Sequence, residues 1–265
     1  MPEGDNLFRA ATALRKALQG GRVVRFRSDV PLVRRAAEEK SVEGRRIASV
    51  DARGKHLLIR FDDERILRTH LRMRGSWHLY RSGEPWRRSE RGARVAIETD
   101  GGFVAVCFDA PVVQLGSDFA MRDLSQLGPD ATTDAFDSGE ALSRIRARGD
   151  LTIGEALLVQ RALAGIGNVV KAEALFLCGQ DPFQRVSQLS DERLGEIVEQ
   201  AHRLLVANRH AGPRTSRVAL SGPTLWVYRR SGKPCLRCGT TVTMRRQGAL
   251  LRSTYYCPRC QNVAS

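Results

Sequence analysis

The chain has no aspartate or glutamate after Glu199, although residues 200–265 carry eleven arginines and Lys233. That stretch supplies +12 of the net charge of +14. A folded segment with so much charge of one sign draws in a polyanion and binds it salt-dependently, because association releases condensed counterions. Nucleic acid is the expected partner. Lysine is also scarce, 5 against 38 arginines, so a high arginine content says little by itself and the missing acids carry the argument. Long apolar runs are absent too. No stretch approaches the roughly 18 residues of a membrane span, and Asp5 and Arg9 break the region where a secretory signal would place its apolar core. A soluble, cytoplasmic chain without membrane contact is expected. Its 265 residues allow one large domain or two ordinary ones.

Leu7, Phe8, Ala11, Leu14 and Leu18 recur at helical spacing and Gly20-Gly21 ends the run, which predicts an N-terminal helix with Pro2 and Glu3 at its start. From residue 23 to about 116 the pattern is of short strands rich in valine and isoleucine, separated by turn signals such as Asp62-Asp63, Ser82-Gly83 and Asp100-Gly101-Gly102. This predicts a β-sandwich or barrel-like domain. Residues 128–139 are polar and rich in breakers, which places a domain boundary there. Beyond it the period is helical. Helices are expected over 151–163 and 169–177, around Ala164-Gly165-Ile166-Gly167-Asn168, and over about 190–208, with Leu194, Ile197, Val198, Ala201, Leu204 and Leu205 as one apolar stripe.

The six cysteines form two groups. Cys107 and Cys178 stand alone in apolar runs and read as core residues. Cys235-x2-Cys238, eighteen residues, then Cys257-x2-Cys260 is the spacing of a four-thiolate zinc site. Thr241 to Met244 and Leu250 to Tyr256 alternate like strands, with Gln247-Gly248 at the turn, so a zinc ribbon fits. Four ligands close the coordination sphere, making one Zn2+ structural rather than catalytic. Disulfide pairing is the alternative, disfavoured in a cytoplasmic chain.

Removal of Met1 from Met1-Pro2-Glu3 would leave a prolyl secondary amine, a nucleophile that attacks an aldehyde carbon to give an iminium ion. Glu3 beside it has the chemistry of a proton carrier. The plainer reading is an ordinary N-terminus with proline in a first helical turn. Asn168 opens a helix after two glycines, where free N–H groups and the positive helix end attract a phosphate; its plainer reading is an N-cap.

Four segments in order resemble the formamidopyrimidine-DNA glycosylase and endonuclease VIII family: Met1-Pro2-Glu3, Arg53-Gly54-Lys55-His56, Gly165-Ile166-Gly167-Asn168, and Arg252-Ser253-Thr254-Tyr255-Tyr256-Cys257. The resemblance spans nearly the whole chain. It implies a multi-domain α+β protein: a catalytic β-sandwich with a leading helix over 1–127, a linker over 128–150, a helix-two-turn-helix DNA-binding domain over 151–225 and a zinc-ribbon finger over 226–265. The implied activity is that of a bifunctional DNA glycosylase and abasic-site lyase of base excision repair, acting as a monomer on damaged DNA. Pro2 would attack C1′, Glu3 would move protons, and Lys55 would contact phosphate and aid proton transfer. Arg252 and Asn168 would grip phosphate at the extruded nucleotide. His70 fits a further phosphate contact, with a buried structural histidine as its rival, and Glu173 aligns near the site but reads as structural. Met73 matches the intercalating wedge of the family, which fills the hole left by the flipped nucleotide.

The chain departs from the 8-oxoguanine branch. Gly4 favours the endonuclease VIII side, Asn6 removes a carboxylate common to both branches, and 109–116 lack the arginine and phenylalanine that help fill the void. The stretch from Gly212 to Tyr228 is too short for a long base-covering flap. Oxidised pyrimidines such as thymine glycol are therefore the expected lesions. Two alternatives stay open: an 8-oxoguanine or formamidopyrimidine glycosylase, and a catalytically inactive DNA-binding zinc protein of the same fold.

Overall fold

The computed structural model describes residues 2–117, 122–210, 212–218 and 221–263. Met1, and Leu220 with its neighbour in the 212–228 stretch, lie outside the described residues. The chain divides into two compact units, Met1–Pro2 with Asn6–Gln126, and Glu3–Asp5 with Leu127–Ser265.

In the first unit, helix α1 (Gly4–Leu18) turns Leu7, Ala11, Leu14 and Leu18 inward, each at most 2% exposed. Gly20, at φ +83°, lets the chain leave the helix. Its first two residues count with the second unit. Eight strands follow: β1 (Val23–Ser28), β2 (Ile47–Arg53), β3 (His56–Phe61), β4 (Ile66–His70), β5 (Ser76–Arg81), β6 (Ala93–Thr99), β7 (Phe103–Phe108) and β8 (Val112–Gly116). They make two antiparallel sheets, ordered β1-β6-β7-β5 and β2-β3-β4-β8. Val23, Ile97 and Ala105 of one sheet share a core with Val50, Leu57 and Leu67 of the other, as in a sandwich. The strand pattern did not announce helix α2 (Pro31–Glu39). Proline starts it and Val33 is its one buried residue, so it carries no apolar stripe to read.

The second unit is helical with a terminal ribbon. Short helix α3 (Arg122–Ser125) precedes it. The stretch 128–150, expected as a linker, instead contains α4 (Ser138–Arg146), capped by Asp137 and burying Ala141 and Ile145 in the second core. The expected helix over 151–163 contracts to α5 (Ile153–Ala156). Beyond it the backbone closes tight turns, Leu158 N to Glu155 O and Ala162 N to Val159 O, and Gln160 Nε2 donates to Ile166 O at 3.0 Å. Helices α6 (Asn168–Leu177) and α7 (Asp191–Ala207) follow, the latter capped by Ser190 and burying all six residues of its stripe. Strands β9 (Thr243–Gln247) and β10 (Arg252–Tyr256) form the ribbon hairpin. Among the described residues no helix is long and apolar enough to cross a membrane.

Candidate active site and nucleic-acid interface

Glu3 is fully buried, and its carboxylate lies against the N-terminus of α6. Val169 N donates to Oε1 at 2.7 Å and Val170 N to Oε2 at 3.1 Å. The helix start thus satisfies two of its own orphan donors with this carboxylate, and its positive end favours the anion. Asn168 is the first helical residue and Gly167 the cap, so the carboxylate does the work expected of an Asn168 side-chain cap.

The two glycines of the loop are explained by the same cradle. A Cβ on Gly167 would meet Glu3 Oε1 at 2.4 Å, and Gly165 holds φ +95°. Gly4 donates its N–H to Gly165 O at 2.9 Å, and a Cβ there would lie 2.2 Å from Thr132 Cγ2. Gly4 therefore has a steric cause beyond its value as a branch marker. Asp5, also fully buried, receives a two-pronged contact from Arg214, with Nε at 2.7 Å from Oδ2 and Nη2 on Oδ1. Arg214 Nη1 is 3.8 Å from Glu3 Oε2. While Asn6 lacks a carboxylate, the adjacent Asp5 supplies a buried one.

One turn along α6, Lys171 is wholly buried and donates to Thr254 Oγ1 at 2.7 Å. Burial, with help from the Arg252 cation, pushes its pKa down to about 8, against the pull of Glu3 and Glu155. A polar chain continues from it: Thr254 Oγ1 donates to Gln247 Oε1 at 2.6 Å, Gln247 Nε2 to Thr152 Oγ1 at 2.8 Å, and Thr152 Oγ1 to Glu155 Oε2 at 2.6 Å. This chain ties α6, the ribbon and α5 together, with exposed Arg252 at the start of β10. Glu173 accepts from Trp226 N at 2.8 Å, Val227 N at 3.0 Å, Tyr228 N at 2.8 Å and from Ser216 Oγ, so it holds the approach to the ribbon.

Cys235, Cys238, Cys257 and Cys260 bring their sulfurs within 4.8 Å of one another, with pairs at 3.9 Å and 3.5 Å. A tetrahedral ion with bonds of about 2.3 Å needs sulfurs about 3.8 Å apart. The donor set fits one zinc ion, and the fourth thiolate fills the position a substrate would need.

In the first unit, Lys55 sits in the two-residue turn between β2 and β3, where Gly54 holds φ +56° and Arg53 pairs with His56. Lys55 is 9% exposed. His70 ends β4, with its ring 4.7 Å from that of His56. Burial holds His56 down to about 3, reinforced by Arg68, His70 and Lys55, and His70 down to about 4, reinforced by Lys55, Arg72 and Arg68. Both rings are neutral at pH 7, and the fixed positive charge here belongs to Lys55 and the arginines. Met73 is 65% exposed on the turn between β4 and β5, flanked by exposed Arg72 and Arg74. Residues 112–116, within the 109–116 segment that lacks the arginine and phenylalanine, form β8.

Asp5, Arg214 and Lys171 carry no sequence signal for these roles. Lys171 as one of five lysines is the nearest to one.

Known proteins share this organisation. The signature of the formamidopyrimidine-DNA glycosylase N-terminal domain matches residues 1–111, that of the formamidopyrimidine-DNA glycosylase H2TH domain residues 127–218, and that of the zinc finger found in FPG and IleRS residues 232–263. A Streptomyces coelicolor protein named "Probable endonuclease 8 2" is 40% identical, covering 98% of this chain and 94% of its own. The "DNA-(apurinic or apyrimidinic site) lyase Nei2" of Mycolicibacterium smegmatis is 36% identical over the full length of both. The fold matches that of Lactococcus lactis Fpg in complex with DNA containing an abasic site, with a TM-score of 0.82 at 23% identity, covering 98% of this chain and 99% of that one.

Proposed function

The chain belongs to the formamidopyrimidine-DNA glycosylase and endonuclease VIII family, and on that premise we propose that it is a bifunctional DNA glycosylase and abasic-site lyase of base excision repair. The observation that carries the reading is the Glu3 carboxylate, buried and fixed by the α6 N-terminus one residue after Pro2. A carboxyl group so held is a positioned proton carrier, and the residue before it supplies the amine.

In this mechanism the Pro2 nitrogen bonds to C1′ as the glycosidic bond breaks, and the base leaves with a proton delivered through Glu3. The Pro2 N–H proton passes by way of Glu3 to O4′ as the C1′–O4′ bond opens, and the resulting iminium acidifies the C2′ protons. Loss of one such proton expels the 3′ phosphate, and a second elimination expels the 5′ phosphate, leaving a gap. Lys55, His70, Asn168 and Arg252 hold phosphates, Met73 fills the vacated stack, and the zinc ion keeps the ribbon folded. Neutral His70 acts here through N–H hydrogen bonding. The protein works as a monomer on damaged DNA in the cytoplasm. Oxidised pyrimidines are its substrates, a preference supported by the absence of the arginine and phenylalanine from 109–116.

Borohydride trapping on abasic and thymine-glycol duplexes tests the reading. Wild-type protein links covalently to DNA, Pro2→Gly weakens the link, and Glu3→Gln abolishes base excision. Full activity in both variants excludes these roles, as does intact Met1 in mass spectra of lyase-competent material. A non-catalytic DNA-binding protein would never trap.

A further inference from the structure

Leu250 and Leu251 are 75% and 64% exposed, the only adjacent pair of exposed large hydrophobics among the described residues. They cap the β9–β10 hairpin directly before Arg252. Leu251 holds φ +47°, a region that a bulky side chain rarely adopts. The turn is braced in that state: Leu251 N donates to Gly248 O at 2.9 Å, and Arg246 Nη1 donates to Leu251 O at 3.2 Å and to Ser253 Oγ at 3.1 Å. Strain kept in place by its surroundings is a mark of a working segment. Arg245, Arg246 and Arg252 on the same hairpin are exposed, and with no acid after Glu199 the hairpin's own side chains present only positive charge to a polyanion.

The same composition appears in the first unit, where exposed Met73 sits between Arg72, at φ +45°, and Arg74. An apolar tip between arginines suits one kind of surface: a phosphate backbone beside base and sugar faces exposed by unstacking. An intact duplex hides those faces. We propose that Leu250 and Leu251 form a second apolar wedge, packing against nucleotides unstacked at the lesion and favouring distorted over intact duplex DNA. The proposal rests on the glycosylase reading.

The test uses the full-length, zinc-loaded protein. Its affinity is measured for a duplex carrying a tetrahydrofuran abasic analogue and for the undamaged duplex, at one salt concentration. For L250S/L251S the ratio of the two affinities falls by about tenfold, the worth of one apolar side chain withdrawn from contact, while zinc content stays at one per chain. L250M/L251M keeps the ratio, and so does Leu32→Ser, which removes an 80% exposed leucine from α2. An unchanged ratio in L250S/L251S overturns the proposal, as does a methionine pair that behaves like the serine pair. Failure of wild-type protein to trap on abasic DNA would instead remove the underlying functional reading.

Discussion

Replacing Gly167 with alanine isolates the hold of α6 on Glu3. Gly167 has φ −125° and ψ −164°, ordinary extended backbone, so alanine meets no backbone penalty there. Its Cβ would lie 2.4 Å from Oε1, 2.5 Å from Cδ and 2.6 Å from Cγ of Glu3. Return to ordinary contact requires the carboxylate to retreat by ~1 Å. The 2.7 Å bond from Val169 N would then exceed hydrogen-bonding range. Two charge-assisted bonds are at stake, about 1.5–3 kcal/mol each. With part of that recovered by relaxation, the expected loss is about 3 kcal/mol, which lowers the melting transition of the second unit by roughly 9 °C. The matched control is Gly195→Ala, mid-helix in α7 with nothing within 4 Å of its Cβ; it should stabilise by about 1 kcal/mol. Calorimetry compares the two variants. A Gly167→Ala protein melting within about 2 °C of wild type would refute the cradle, since the clash has no other outlet.

Arg214→Ala strips the two-pronged partner from buried Asp5 and removes a guanidinium 3.8 Å from Glu3. It should cost about 3–5 kcal/mol in urea denaturation, with Arg214→Lys a poor rescue because it lacks the two-pronged fork. Acidification should weaken the first unit. His56 and His70 stay neutral in the fold down to about 3 and about 4, whereas the unfolded rings protonate near 6.5. The unfolded chain therefore binds more protons in that window, and stability falls as pH drops through about 6.5 toward 4. His56→Gln should flatten the slope of the urea midpoint against pH, and an unaltered slope would exclude the buried ring as its source. Zinc chelation or Cys257→Ser should unfold the ribbon, displace Arg252 and end DNA cleavage with the first unit still folded; circular dichroism and nicking assays read the two effects separately.

Elements whose apolar residues keep one period were legible in the sequence. The stripe of α7 and the cysteine spacing of the ribbon each specify a local solution, and both elements form where they were expected. Helix α2 was hidden because one buried valine makes no period. Helix α5 was overextended because the 157–163 turns bury apolar residues as a helix would. The Pro2-Glu3 dipeptide could be read as chemistry, but its surroundings could not. Asp5 and Arg214 stand 209 positions apart, and nothing local in either announces the other. The two glycines before Asn168 suggested a helix start open to a phosphate, whereas within the protein the space at Gly165 and Gly167 is taken by Thr132 and Glu3.

The polar relay from Lys171 through Thr254 and Gln247 to Thr152 makes the ribbon a poor module for exchange. A finger transplanted from another chain would bring its own cysteines and fold around its own ion. Unless it also brought a threonine and a glutamine in matching register, the buried host ammonium would lose its short hydroxyl acceptor and keep only the longer contact to the backbone at 253, and the graft would bind metal while docking poorly. Positions 152, 171, 247 and 254 thus act as one bonded unit, and a change at any one of them breaks the chain at that point.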